Sequence, residues 1–174
     1  MSSPATEHPD CAGLGIPPHL HQIDRLPDPH FAASELLYFR IRPDPDATYP
    51  APDILDYVKT STDNSTLRSA YCRSPDDARL DKDGTVYSEF FLCAWRVGLL
   101  LSYQVHQQES DKTCSVEVEH TPYPCQYPHT DIRVLCNSEP VRGSVRLSNP
   151  LKRRVRAELA DLAEVIALPL SSRQ

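Results

Sequence analysis

Residues 101–120, LSYQVHQQESDKTCSVEVEH, decide how this chain is read. Leu101, Tyr103 and Val105 alternate with Ser102, Gln104 and His106. After the polar stretch Gln107–Thr113, Cys114, Val116 and Val118 alternate with Ser115, Glu117 and Glu119. Successive side chains of a strand point to opposite faces, so two alternating runs joined by a polar link predict an antiparallel hairpin with one buried face.

Upstream, Ser34–Arg42 (SELLYFRIR) alternates in the same way through Leu37, Phe39 and Ile41, and predicts a strand over 36–42 that Pro43 and Pro45 end. Asp53 is placed to cap a short helical turn bearing Ile54, Leu55 and Val58. Residues 67–72 predict a brief strand, and Ser74-Pro75-Asp76-Asp77 has the composition of a helix opening. Phe90–Val97, broken only by Arg96, is apolar enough to predict a buried helical turn that Gly98 ends in the left-handed conformation. The hairpin strands are expected over 99–106 and 114–120.

Downstream, TPYPCQYPHT (121–130) carries three prolines and predicts an extended loop, and Ile132 and Val134 predict a further strand over 131–136. Asn149 and Pro150 open a helix over 150–168. Its apolar positions Leu151, Val155, Leu159, Leu162 and Ile166 make one stripe, and Pro169 stops it. The expected fold class is α+β: a small antiparallel sheet covered by a C-terminal amphipathic helix.

Residues 1–33 contain Pro4, Pro9, Pro17, Pro18, Pro27 and Pro29 with little apolar periodicity. They predict a proline-rich extension, either disordered or laid on the domain as a strap. The expected organisation is therefore extension 1–33, single domain 34–169 and tail 170–174.

The 174 residues include 17 prolines and only 5 glycines, with 40% hydrophobic residues and a net charge of −6. The acidic balance argues against nucleic acid as a partner, because that affinity comes largely from neutralised phosphates. With so few glycines, and no Gly-x-x-x-x-Gly-Lys, dinucleotide or Gly-x-Ser-x-Gly pattern, no cofactor is expected. The start of the chain lacks the basic and apolar run of a secretory signal, and no apolar stretch is long enough to span a bilayer. The expectation is a cytoplasmic protein without a membrane partner, its six cysteines mostly reduced.

Leu37-Tyr38-Phe39-Arg40-Ile41, Ser74-Pro75-Asp76, Arg96-Val97-Gly98-Leu99 and the segment Pro122–His129 occur in an order that resembles a group of small bacterial proteins to which no activity is attached. The resemblance spans roughly residues 36–168. It implies a bacterial accessory protein and supplies no catalytic residue.

Four sets of residues carry candidate chemistry. Cys125, His120 and His129, with Cys114 and Cys136, are zinc-type donors, but they lack the close pairs of structural zinc sites. Cys114 also falls in phase with buried Val116 and Val118. His120, His129 and Asp131 are the acid–base candidates, as histidine shuttles protons near neutral pH when a carboxylate positions it. Lys152, Arg153, Arg154 and Arg156 crowd the first turns of the last helix, against its dipole, and invite an acidic partner, whether a loop such as Asp44–Asp46 or Asp76–Asp77 or another protein. Tyr123 and Tyr127, stiffened by neighbouring prolines, are a second docking candidate. The sequence favours a non-enzymatic interaction or regulatory protein, a subunit of an accessory or defence-type assembly. The alternative is a hydrolase or metal-dependent enzyme working through His120, Cys125 and His129.

Overall fold

The computed structural model describes residues 7–47, 51–143 and 145–170. Its centre is a curled antiparallel sheet. The strands are β1 (Leu36–Ile41), β2 (Asn64–Arg68), β3 (Phe91–Arg96), β4 (Gln104–Gln107), β5 (Lys112–His120), β6 (His129–Cys136), β7 (Glu139–Pro140) and β8 (Glu164–Ala167). They run in the order β4-β5-β6-β2-β1-β3-β8, with β7 paired to β6. Helices α1 (Ile54–Tyr57), α2 (Val97–Ser102) and α3 (Asn149–Asp161) join them.

Because the sheet curls, strands from its two halves share one core. Val105, Cys114, Val116, Ile132 and Val134 belong to the same buried cluster as Leu37, Phe39, Phe91, Cys93 and Trp95. The α+β class therefore holds, but not as a small sheet under a terminal helix. The sheet has eight strands, and α3 adds only Leu151, Val155 and Leu159 to a core that the sheet largely encloses itself.

Three expected elements differ, each for a physical reason. Phe91–Arg96 is a central strand, paired with β1 on one side and β8 on the other, rather than a helical turn. Phe91, Cys93 and Trp95 face the main core, while Leu92 and Ala94 face a second cluster with Tyr38, Leu67 and Ala78. A strand buried on both faces shows no alternation to read. Residues 97–102 form α2, which takes the first residues of the strand expected over 99–106, and the hairpin strand begins only at Gln104. Gly98 lies within that helix and does not end it. Its place is set by close approach: its N–H donates to the Ala33 carbonyl, and an added Cβ would lie 2.9 Å from that oxygen.

The last helix ends at Asp161, and Glu164–Ala167 pairs with the open edge of β3. Val165 and Ile166, both β-branched, suit a strand. Ile166 accordingly packs on the Tyr38 cluster and not on the helical stripe. The Ser148 hydroxyl, rather than Asn149, caps α3 by accepting from the Leu151 N–H. Asp53 caps α1. Ser74 makes no side-chain cap, and Pro75–Arg79 forms a 3-10 turn. The 67–72 strand is displaced to 64–68, with a 3-10 turn at Ser69–Tyr71.

Residues 7–33 run along the domain. Cys11, Ile16 and Leu20 are buried with Cys125, and Leu14 and Leu80 pack against them. Further along, the fully buried Arg68 guanidinium donates to the carbonyls of Asp28 and His30 and forks onto both oxygens of Glu35. A cation at the end of β2 thus satisfies backbone carbonyls that proline-rich chain cannot pair with itself. Residues 1–6 of the extension and 171–174 of the tail lie outside the described residues.

Candidate functional site

Two adjoining cavities form a cleft beside β1, and Arg40, Tyr57 and Phe90 line both. The first, about 490 Å3, is completed by Arg42, Pro43, Pro45, Asp53, Asp56 and Lys59. The second, about 380 Å3, is lined by Asp81, Lys82 and Tyr87 from one segment and by Tyr123, Gln126 and His129 from the connection between β5 and β6. Each volume lies within the range of small-ligand sites, about 300–1,000 Å3.

Arg40 projects from β1, where it meets Leu92 across the ladder. Its guanidinium stacks over the Tyr87 ring at 4.4 Å and stands 3.6 Å from Asp81. Its Nη1 is buried and makes no hydrogen bond, whereas every nitrogen of buried Arg68 has a partner. Among the described residues, His19 Nδ1 is the other buried side-chain atom without one, and Arg40 is the one that lines the cleft. Leaving such a donor unmet costs about 1–3 kcal/mol, more for a charged group. Nearby, Lys82 Nζ lies 4.0 Å above the Tyr123 ring, and Tyr123 packs on the His129 imidazole at 4.4 Å. The Tyr57 hydroxyl donates to the Ser65 carbonyl, and burial raises its pKa.

His129 lies at the start of β6. Its Nδ1 is 2.8 Å from the Thr121 carbonyl, which can only accept, so Nδ1 carries the proton and Nε2 is left as an acceptor. Burial lowers the His129 pKa, so the ring is neutral near pH 7. Asp131, two residues on and on the same strand face, stands 3.8 Å from Nε2. Thr121 joins the pair: its hydroxyl donates to Asp131 Oδ2 and lies 3.0 Å from His129 Nδ1. The hydroxyl proton thus goes to the carboxylate and not to the imidazole, which is not the arrangement of an activated nucleophile. Thr121 carried no signal of this role in the sequence.

His120 is separated from this group. Its Nδ1 accepts from the Asp28 N–H at 2.8 Å and its Nε2 donates to the Tyr127 carbonyl at 2.6 Å, so both nitrogens are engaged in structure. Cys125 is bonded to Cys11, which corrects the expectation of reduced thiols for that pair and removes Cys125 as a metal ligand in this state. The two cysteines are 114 residues apart, and nothing in their spacing announces the bond. No group of three or more His, Cys, Asp or Glu side chains gathers as a metal site among the described residues. Cys114 and Cys136 oppose one another across β5 and β6, and burial pushes the Cys114 thiol up to about 11.

The basic start of α3 divides. Arg156 is tied inward, donating to the carbonyls of Leu55 and Val58, and Arg154 pairs with Glu158. The compensating acid for Arg156 is Asp56, 3.5 Å away, rather than the loops at 44–46 or 76–77. Lys152 and Arg153 are exposed. Tyr127 is buried, donates its hydroxyl to the Leu26 carbonyl and lies under Arg25, whereas Tyr123 is 37% exposed at the cleft. No helix is long and apolar enough to cross a membrane among the described residues.

Comparison of the chain with protein-family models, with curated proteins and with solved structures finds no match.

Proposed function

We propose that this chain is a non-enzymatic recognition protein that holds a small organic anion, an acidic group on a planar ring, in the Arg40 cleft. The observation that carries this reading is the unpartnered Nη1 of Arg40. Arg40 lines the cavity, and a small shift of its side chain would let a ligand oxygen reach the unmet donor, form a charge-assisted hydrogen bond and relieve an existing cost. Lys82 adds a second positive charge beside Asp81, the one carboxylate lining that second cavity. Across both cavities Arg40, Arg42, Lys59 and Lys82 face Asp53, Asp56 and Asp81, so the cleft is slightly positive in a chain of net charge −6.

The walls supply the ring. Tyr57, Tyr87, Phe90 and Tyr123 present aromatic surface around the cation, and His129 Nε2 offers an acceptor to a ligand donor. The absence of catalysis in this reading rests on the placement of the polar groups. The Thr121 proton is committed to Asp131, both His120 nitrogens are engaged, and burial raises the pKa of the Cys72, Cys93 and Cys114 thiols.

Isothermal titration of the full chain with phenyl phosphate, benzoate and inorganic phosphate tests the reading. One equivalent of phenyl phosphate should bind more tightly than inorganic phosphate, and Arg40→Met should abolish the heat. Equal binding by Arg40→Met, or no binding of any of the three, overturns it.

A further inference from the structure

Cys125 occupies the tip of the connection between β5 and β6. Across that tip Tyr123 and Gln126 exchange backbone hydrogen bonds, and the Thr121 N–H donates to His129. Three lining residues of the cleft, Tyr123, Gln126 and His129, are therefore carried on one tight hairpin end. Residues of the leader grip this end. Gln22 donates to the Pro124 carbonyl, Tyr127 donates to the Leu20 carbonyl, and Cys11 is bonded to Cys125.

The same stretch of the N-terminal extension also touches the segment that carries Asp81 and Lys82. Leu80, next to Asp81 and Lys82, packs with Leu14, Ile16 and Leu20, and the Gln126 side-chain amide donates to the Leu80 carbonyl. Gly84, with φ +85°, closes the 81–85 turn so tightly on the Leu14 carbonyl that an added Cβ would lie 2.4 Å from its oxygen. Residues 11–22 thus bridge the wall bearing Lys82 and the wall bearing Tyr123. The bridge has one covalent link, Cys11–Cys125.

We infer that the Cys11–Cys125 bond is a redox-linked clasp on the cleft, so that the oxidised chain binds its anion and the reduced chain binds it weakly. This rests on the cleft being the binding site. Reduction needs a thiol donor such as a dithiol. One thiolate attacks a sulfur of the bond and releases the other cysteine as thiolate. The donor's second thiolate then breaks the mixed disulfide. The donor is oxidised to its own disulfide, two electrons pass to the protein sulfurs, and two protons complete the thiols of Cys11 and Cys125. Both cysteines are buried, at 0% and 6% exposure, so attack requires the leader to lift first. Linkage is reciprocal: a ligand that prefers the clasped state must protect the bond from reduction.

The test titrates phenyl phosphate into the full chain, oxidised and after dithiothreitol, and into Cys11→Ala/Cys125→Ala. Hydrogen exchange is followed in parallel at amides 81–85 and 121–129. The inference expects at least a tenfold weaker affinity on reduction and in the double variant, recovery on reoxidation of the unsubstituted chain only, and faster exchange confined to those two segments. Binding within twofold in both redox states overturns the clasp and leaves the cleft standing. Unchanged exchange on reduction, or exchange that rises throughout the sheet, also overturns it. Absence of binding by the oxidised chain, with exchange still rising at the two segments, places the failure in the cleft reading.

Discussion

Arg68 and Glu35 form a forked ion pair inside the protein, with Nε to Oε1 at 2.8 Å and Nη2 to Oε2 at 3.0 Å, each residue under one-tenth exposed. Arg68 also holds the leader through Asp28 and His30 and lies over the rings of Phe31 and Tyr71. One residue of β2 therefore fixes the path of the chain that leads into β1. Burial opposes the charge on Arg68, but the hydrogen bonds it donates to the Glu35 carboxylate outweigh that and raise its pKa, so the guanidinium is charged at every working pH.

Arg68→Met leaves the Glu35 carboxylate buried without its partner and frees two leader carbonyls. A loss of about 3–5 kcal/mol is expected, as for other broken buried pairs. Arg68→Met/Glu35→Leu should recover a measurable part of it, because no lone charge remains. Urea denaturation of the two variants checks this, and equal midpoints would refute it.

Gly84→Ala adds a side chain where φ is +85° and where the Leu14 carbonyl leaves no room. The nearest atom is backbone, which cannot swing aside. A loss of about 1–3 kcal/mol is expected from the backbone strain. Gly13 also has a positive φ but no atom within 4 Å of an added Cβ, so Gly13→Ala isolates the strain without the clash. A lower melting temperature for Gly84→Ala than for Gly13→Ala is the expected result.

Acid should weaken the fold through two of its buried imidazoles, His120 and His129. Burial sets both His120 and His129 below the ordinary histidine value of 6.5. The unfolded chain then takes up protons before the folded chain does, so stability is full above 6.5 and declines as pH falls from 6.5 toward the folded values. Protonated His120 would also turn Nδ1 into a donor facing the Asp28 N–H. Urea midpoints should fall from pH 7.5 to pH 5.5, and the fall should be smaller in His120→Gln. A flat profile would contradict the assignment of neutral rings.

What the sequence disclosed follows burial geometry. β1, the β5 end of the hairpin and β6 alternate because one face packs more tightly than the other. Leu37, Cys114, Val116, Ile132 and Val134 were legible for that reason. β3 was not, since Leu92 and Ala94 have a core of their own. The run at Val97–Ser102 is six residues long, too short for helical periodicity to separate from alternation. Ile166 fell in register with the helical stripe, yet the unpaired edge of β3 drew it into a strand. The cleft was less visible still. Arg40, Tyr57, Lys82 and the hairpin end bearing Tyr123 and His129 come from four separate segments, and only Tyr123 and His129 stood out as chemistry-bearing. Arg40 read only as a residue between the alternating positions Phe39 and Ile41, which gave no sign of a buried, unpartnered Nη1.

Arg40 carries the sharpest expectation, because stability and binding should move in opposite directions. Its unmet donor costs about 1–3 kcal/mol, while its stacking on Tyr87 returns about 0.5–1 kcal/mol. The 3.6 Å approach to Asp81 adds little, since the contact is long and both groups retain solvent. Arg40→Met keeps most of the aliphatic bulk and removes the unmet charge. The variant should be as stable as the parent or more stable, by about 1 kcal/mol, in urea, while losing the phenyl phosphate heat. Sites that hold strain or unmet polarity for a ligand behave in this way, exchanging stability for recognition. An Arg40→Met protein that is strongly destabilised would instead place the guanidinium in the structural framework, as Arg68 is.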